Sequence, residues 1–331
     1  MERPRLLIIK LSSFGDIFHA LPAVHNLKTA LGADVDWLTQ PEYAALVRCF
    51  PEVETVLTFP RQRPWAGLPA FVRGLRARRY DLVVDLQGLL KSAVAARLAH
   101  AGRRLGPSFQ REGARWFYDA VVGPRDKDRH AVEECLDGVR YLGLPVAPVE
   151  FPVRFPAVAN PWPGPRVAIV PVSRRWNKNW PESHFLALAA SLRRELDAAL
   201  YVMGGPAERP VCERLIAGLG ALAGDRVMNL AGRTDLVQMG SWMGGMDVVV
   251  ANDSGPIHMA AALGIPVVTM FGPTDPRRTG PYGSMHRVLT SDLPCRPCLS
   301  KDCRLGRPEC LARIGPAAVC SAVQQILAAR T

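Results

Sequence analysis

The stretch Met246-Asp247-Val248-Val249-Val250-Ala251 runs into Asn252-Asp253-Ser254-Gly255-Pro256-Ile257-His258 and then Met259-Ala260-Ala261-Ala262-Leu263-Gly264. The first six residues form a nearly continuous apolar run, as expected of a parallel strand buried on both faces. Small and polar residues then turn the chain, and Ser254 followed by Pro256 opens a helix. A strand passing through Asp-Ser-Gly into a helix leaves backbone N–H groups unpaired at the helix start, where the macrodipole favours an anion. A second strand over 266–270 ends in Phe271-Gly272-Pro273-Thr274-Asp275-Pro276, a second loop on the same edge. Two such loops suit a phosphorylated ligand. Ordinary strand-to-helix turn chemistry accounts for the spacing equally well, so spacing alone leaves both readings open.

Working outward, strand-like and helix-like stretches alternate along the whole chain, the pattern of an α/β fold with parallel sheets. Strands are expected over 6–10, 35–38, 55–59 and 81–85, with helices over 17–30, 41–49, 68–79, 89–99 and 131–142. Seven prolines between 145 and 165 rule out a helix or central strand there and mark a linker. Alternation then restarts, with strands over 166–171, 199–203 and 227–230 and helices over 181–195, 206–219, 235–244 and 316–330. At 331 residues two domains are expected. The division falls at 1–155 and 156–331.

The composition, 48% hydrophobic and 21% charged, is that of a soluble globular chain. No uninterrupted stretch reaches the roughly twenty apolar residues of a membrane span, and no export signal is read at the N-terminus. A cytoplasmic location is therefore expected. The net charge is +11, a balance that suits nucleic acid, an anionic membrane surface or an acidic substrate. Much of the excess lies in the first half, and no nucleic-acid-binding motif or interleaved aromatic set accompanies it.

Three further segments sit at predicted strand ends. Lys10-Leu11-Ser12-Ser13-Phe14-Gly15-Asp16-Ile17-Phe18-His19 leaves the first strand; by residue type alone, Asp16 is a helix-capping or first-turn acid. Asp85-Leu86-Gln87-Gly88-Leu89-Leu90-Lys91-Ser92 is a strand–Gly–helix turn. Ser173-Arg174-Arg175-Trp176-Asn177-Lys178-Asn179-Trp180-Pro181-Glu182 places three cations and a serine on one loop, a composition suited to a diphosphate.

Together with 252–258 and 271–276, these segments resemble the ADP-heptose:lipopolysaccharide heptosyltransferases, an inverting glycosyltransferase family of GT-B fold. The resemblance covers most of the chain. It implies two Rossmann-like, doubly wound parallel-sheet domains facing across a cleft, an acceptor-binding one followed by an ADP-sugar-binding one. The final helix would pack back towards the first domain. Asp16 would be the general base that takes the proton of the attacking acceptor hydroxyl. Donor contacts would come from Ser173, Arg174, Lys178, Glu208, Thr234, Asp253, Ser254, Gly255, His258 and Thr274, with Glu208 at the ribose and Thr234 beside adenine. Arg174 departs from the family, which carries a small hydroxyl residue there. Acceptor contacts would come from Ser13, Gly15, Arg61, Arg63, Gln87, Lys91, Arg111 and His130.

The resemblance implies an ADP-heptose donor and a Kdo-containing lipid A acceptor, met at the anionic inner face of the inner membrane, with no cofactor required for catalysis. It leans towards lipopolysaccharide heptosyltransferase I. A type II enzyme, or a relative with another acceptor, is the alternative. Cys295, Cys298, Cys303 and Cys310 lie within sixteen residues, a spacing open to structural zinc or iron or to free thiols. A nucleic-acid-binding protein built on that knuckle is the rival from another class. A dinucleotide oxidoreductase is set aside because no G-x-G-x-x-G follows the first strand.

Overall fold

The computed structural model describes residues 3–60 and 64–330, in two compact units, Met1–Arg154 and Phe155–Thr331. The apolar runs became strands buried on both faces: Leu7, Ile8, Ile9, Val248, Val249 and Val250 are fully inaccessible. In the first unit the order is β1 (Arg5–Ile9), α1 (Phe14–Leu31), β2 (Asp34–Thr39), α2 (Ala44–Val47), β3 (Thr55–Thr58) and α3 (Pro64–Arg76). There follow β4 (Arg79–Asp85), α4 (Leu90–Leu98), β5 (His100–Pro107), β6 (Ala120–Val122), α5 (Ala131–Cys135) and α6 (Asp137–Tyr141). The six strands are parallel in the order β3-β2-β1-β4-β5-β6.

The proline-rich stretch carries no regular element, because proline lacks the N–H that a helix or ladder needs. The second unit runs β7 (Arg166–Val170), α7 (Glu182–Leu196), β8 (Ala199–Val202), α8 (Arg209–Leu219), β9 (Val227–Asn229) and α9 (Leu236–Met243). It continues with β10 (Val248–Asn252), α10 (Gly255–Ala262), β11 (Val267–Met270), α11 (Pro276–Thr279), β12 (Arg287–Leu289), α12 (Glu309–Ala312) and α13 (Pro316–Ala328). Its parallel sheet is ordered β12-β11-β10-β7-β8-β9. Renumbered within the unit this is again 3-2-1-4-5-6, the doubly wound dinucleotide-fold order. The expected fold class holds for each unit.

Three strands were not expected. β5 carries Gly102, Arg103, Arg104 and Gly106 where an apolar run would signal a strand, while β6 and β12 have three residues each. The helix expected over 131–142 is two short helices meeting at Leu136. In the second unit Val319, Val323 and Ile326 of α13 join a core with Phe185, Leu188 and Leu192 of α7, so this helix covers one face of its own sheet.

Candidate active site

In each sheet the strand order reverses between the first and fourth strands, β1/β4 and β7/β10. The loops leaving those strands diverge and open a crevice at their C-terminal ends, where ligands of such folds bind. All five sequence segments fall on these loops or beside them.

In the first unit α1 opens with Ser13 as N-cap. Asp16 Oδ2 accepts from Ser13 N at 2.9 Å and from Ser13 Oγ at 2.8 Å. The capping role read from residue type is therefore real. Asp16 Oδ1 lies 3.7 Å from Nδ1 of His19, whose side chain is 4% exposed while that of Asp16 is 42% exposed. His19 in turn meets His130 edge to face, centroids 5.5 Å apart. Crowding by protein would by itself raise the Asp16 pKa. The His19 imidazole, the Lys10 ammonium and the Ser13 N–H outweigh it, and the carboxyl is held well below its usual range. Lys10 is buried and donates from Nζ to Leu86 O at 2.6 Å.

The other expected acceptor residues divide. Ser13 and Gly15 share the Asp16 turn, and His130 caps α5, its Nδ1 accepting from Val132 N at 3.1 Å. Lys91 and Arg111 are exposed. Arg111 N donates to Gly88 O at 2.8 Å, so Arg111 and Lys91 flank the turn after β4. Gln87 is directed inward: its Oε1 accepts from Leu11 N at 3.0 Å and from Ser12 N at 2.9 Å. Arg61 and Arg63 lie outside the described residues.

In the second unit Lys178 Nζ is 2.6 Å from Asp253 Oδ2, with both side chains largely buried. Thr274 Oγ1 donates to the same oxygen. A lysine, an aspartate and a threonine from three separate loops thus meet beside the start of α10, where Ser254 is N-cap and Gly255 the first helical residue. Asn252 ties these loops together. Its Nδ2 donates to Pro171 O at 2.7 Å and its Oδ1 accepts from Trp180 N at 2.9 Å. Ser173 is buried, its N–H donating to Asn179 Oδ1 at 2.6 Å and its Oγ to Arg175 O at 2.9 Å. His258 is buried within α10. Arg174 is exposed, and Arg175 is committed elsewhere.

That commitment is to the cysteine-rich segment. Arg175 and Asn177 both donate to Ser300 O, Asn177 at 3.0 Å. Leu299 N donates to Pro273 O at 2.7 Å and Arg296 Nε to Gly272 O at 2.8 Å. Residues 296–300 therefore strap the 173–180 loop to the 271–276 loop. The thiols are not gathered into a ligand set: among the described residues no group of three or more His, Cys, Asp or Glu side chains is placed to hold a metal. Cys310 is turned inward, close enough to Gly272 that a Cβ there would lie 2.9 Å from its sulfur. Burial raises the Cys310 thiol pKa. Cys303 donates to Arg307 O at 2.9 Å, while Cys295 and Cys298 are exposed. The segment acts here through the Leu299 N–H, the Ser300 carbonyl and the Arg296 guanidinium.

The nucleoside candidates lie on neighbouring loops. Glu208 follows β8 and its Oε2 lies over Gly205, where an added Cβ would come within 2.6 Å. Thr234 sits just before Asp235, the N-cap of α9. Sequence reasoning missed Asp85, Tyr118, Asn177, Asn252 and Ser300, all of which act on loop backbone or on one another. Asp85-x-Gln-Gly and Asn252-Asp-Ser-Gly held the signal, since Asp and Asn at strand ends commonly bind the turn that follows.

The sequence model of glycosyltransferase family 9 (heptosyltransferase) matches residues 69–308. The chain is 31% identical to lipopolysaccharide heptosyltransferase 1 of Pseudomonas aeruginosa, covering 98% of each. A solved structure of the Escherichia coli heptosyltransferase WaaC with ADP superposes with a TM-score of 0.80 at 28% identity, over 97% of this chain and 99% of that one. The E. coli ADP-heptose lipopolysaccharide heptosyltransferase II structure superposes with a TM-score of 0.82 over 98% and 99%, but at 23% identity that likeness speaks for the fold alone.

Proposed function

The chain belongs to glycosyltransferase family 9, the heptosyltransferases, and from that premise we propose that it moves heptose from ADP-L-glycero-D-manno-heptose to the Kdo region of the lipopolysaccharide inner core. The observation that carries the type I assignment is the likeness to lipopolysaccharide heptosyltransferase 1 across 98% of both chains. The acceptor is a Kdo-bearing lipid A, met at the inner face of the inner membrane. Among the described residues no helix is long and apolar enough to cross a membrane.

The acceptor hydroxyl oxygen attacks the anomeric carbon as the bond from that carbon to the β-phosphate oxygen of ADP breaks, inverting the centre. Asp16 takes the hydroxyl proton. Its neighbours hold it ionised, so the form that can accept a proton is present beforehand, and the transfer is driven by the acidity that the hydroxyl gains as it bonds to the anomeric carbon. The departing ADP gains negative charge, which Lys178 and the N–H groups at the start of α10 offset. Asp253 and Thr274 hold Lys178 in place before the donor arrives. We assign the leaving-group charge to these groups and no step to a metal ion. The deciding assay follows ADP release with Kdo2-lipid A in EDTA. Turnover there supports the reading. Turnover only on an acceptor already bearing one heptose would move the assignment to type II.

A further inference from the structure

The turn after β4 is built more firmly than an acceptor-contacting loop requires. Asp85 ends the strand fully buried, and its Oδ1 accepts from Gln87 N at 2.7 Å and Gly88 N at 3.1 Å. Its Oδ2 accepts from Tyr118 OH at 2.6 Å. Gly88 has a φ of +70°, and a Cβ there would lie 2.8 Å from Pro107 Cγ, so the turn is closed on that side as well. From this frame Gln87 reaches across the switch point to Leu11 N and Ser12 N, the two residues immediately before the cap of the Asp16 helix. Both groups are donors, so only the amide oxygen can face them.

The second unit repeats the device at the corresponding place. There Asn252, at the end of the fourth strand of its sheet, binds backbone on either side of the loop that follows the first strand and carries Lys178. Each unit thus uses a carboxamide at its switch point to fix the loop that bears a charged candidate residue.

We infer that Gln87 is a positioning residue: through Leu11 N–H and Ser12 N–H it holds the loop that presents Asp16, and it makes no contact with the acceptor. The inference rests on Asp16 being the base in the proposed transfer. A shift of the loop by a fraction of an ångström separates the carboxylate from the attacking hydroxyl while leaving both binding surfaces intact. The expected signature is therefore a loss in kcat alone.

The test compares wild type, Gln87→Met, Gln87→Glu and Tyr118→Phe by steady-state kinetics on the best acceptor. It adds amide hydrogen exchange over residues 11–16 without substrate. Gln87→Met, which keeps length but cannot accept, should lower kcat about 10–100-fold, with both KM values within about twofold and faster exchange at Leu11 and Ser12. Gln87→Glu retains an accepting oxygen and should recover most of kcat. Tyr118→Phe loosens Asp85 without touching Gln87, and should give a smaller loss of the same kind. If Gln87→Met does not fold, the Glu and Phe variants decide by the same criteria. A raised acceptor KM with unchanged kcat would overturn the inference in favour of direct acceptor binding, and unaltered kinetics would overturn it outright. A wild type inactive on every acceptor would instead defeat the proposed reaction, with the exchange data still reporting on the loop.

Discussion

Asp16 serves two purposes with one carboxylate: it closes the first turn of α1 through Ser13 and it stands as the proposed base. These roles are compatible because capping uses Oδ2 whereas Oδ1 faces His19. Asp16→Asn retains the cap and should lower kcat by about 10²–10⁴-fold, with ADP affinity by calorimetry within twofold of wild type. The carboxyl pKa is depressed from an ordinary 3.8. Ionised Asp16 therefore stabilises the fold at every pH above 3.8, and the contribution is lost only as pH falls below that value towards the folded-state pKa. The acid limb of kcat/KM should accordingly lie below pH 4 where Asp16 sets it. Lys10→Met removes one of the charges that depress it and should move that limb to higher pH; a limb that stays in place would remove Lys10 from the account. In the second unit, Lys178→Ala should cost about 10²-fold in kcat and raise the donor KM, since it removes a cation at the developing charge. At this scale the capping place of Asp16 was legible from its type at a strand end, whereas its part as the proposed base comes from the family resemblance. The Lys178–Asp253–Thr274 contact was not legible, because no spacing rule links three loops so far apart in the chain.

Among the elements, the strap formed by residues 296–300 is the least foreseeable. Its ties are Asn177 Nδ2 to Ser300 O, Leu299 N–H to Pro273 O and Arg296 Nε to Gly272 O. Carbonyl and amide partnerships leave no trace in residue identity, which is why these ties were not legible in the sequence. Asn177 is buried, so Asn177→Ala removes one of the two donors to the Ser300 carbonyl and should destabilise the unit by about 0.5–1.5 kcal/mol. It should also raise the donor KM, because the 173–180 loop keeps only the Arg175 bond to the strap. Denaturant melts and donor titrations check the two effects separately. The strands that could be read were apolar runs such as 248–251. β5 could not, because its first half, His100 to Arg104, is partly exposed and mixed in composition, and its pairing with β4 is what defines it.

For the whole molecule, two copies of the 3-2-1-4-5-6 order explain why the five segments recur at strand ends on both sides of the proline-rich stretch. The α/β class with parallel sheets was legible from alternation alone, and the doubly wound arrangement and the identity of the reaction only from the resemblance of the loops. The net charge of +11 belongs to this scale too. With the proposed membrane-anchored anionic acceptor, the chain should sediment with vesicles containing phosphatidylglycerol at low salt and be released as ionic strength rises. Binding that ignores salt would contradict an electrostatic attachment. The central claim, that Asp16 is the base of an ADP-heptose transfer, is tested most directly by ADP release with Kdo2-lipid A in EDTA, comparing wild type with Asp16→Ala. The account predicts turnover in the wild type and its loss in the variant while ADP binding survives. Undiminished turnover in Asp16→Ala would contradict it.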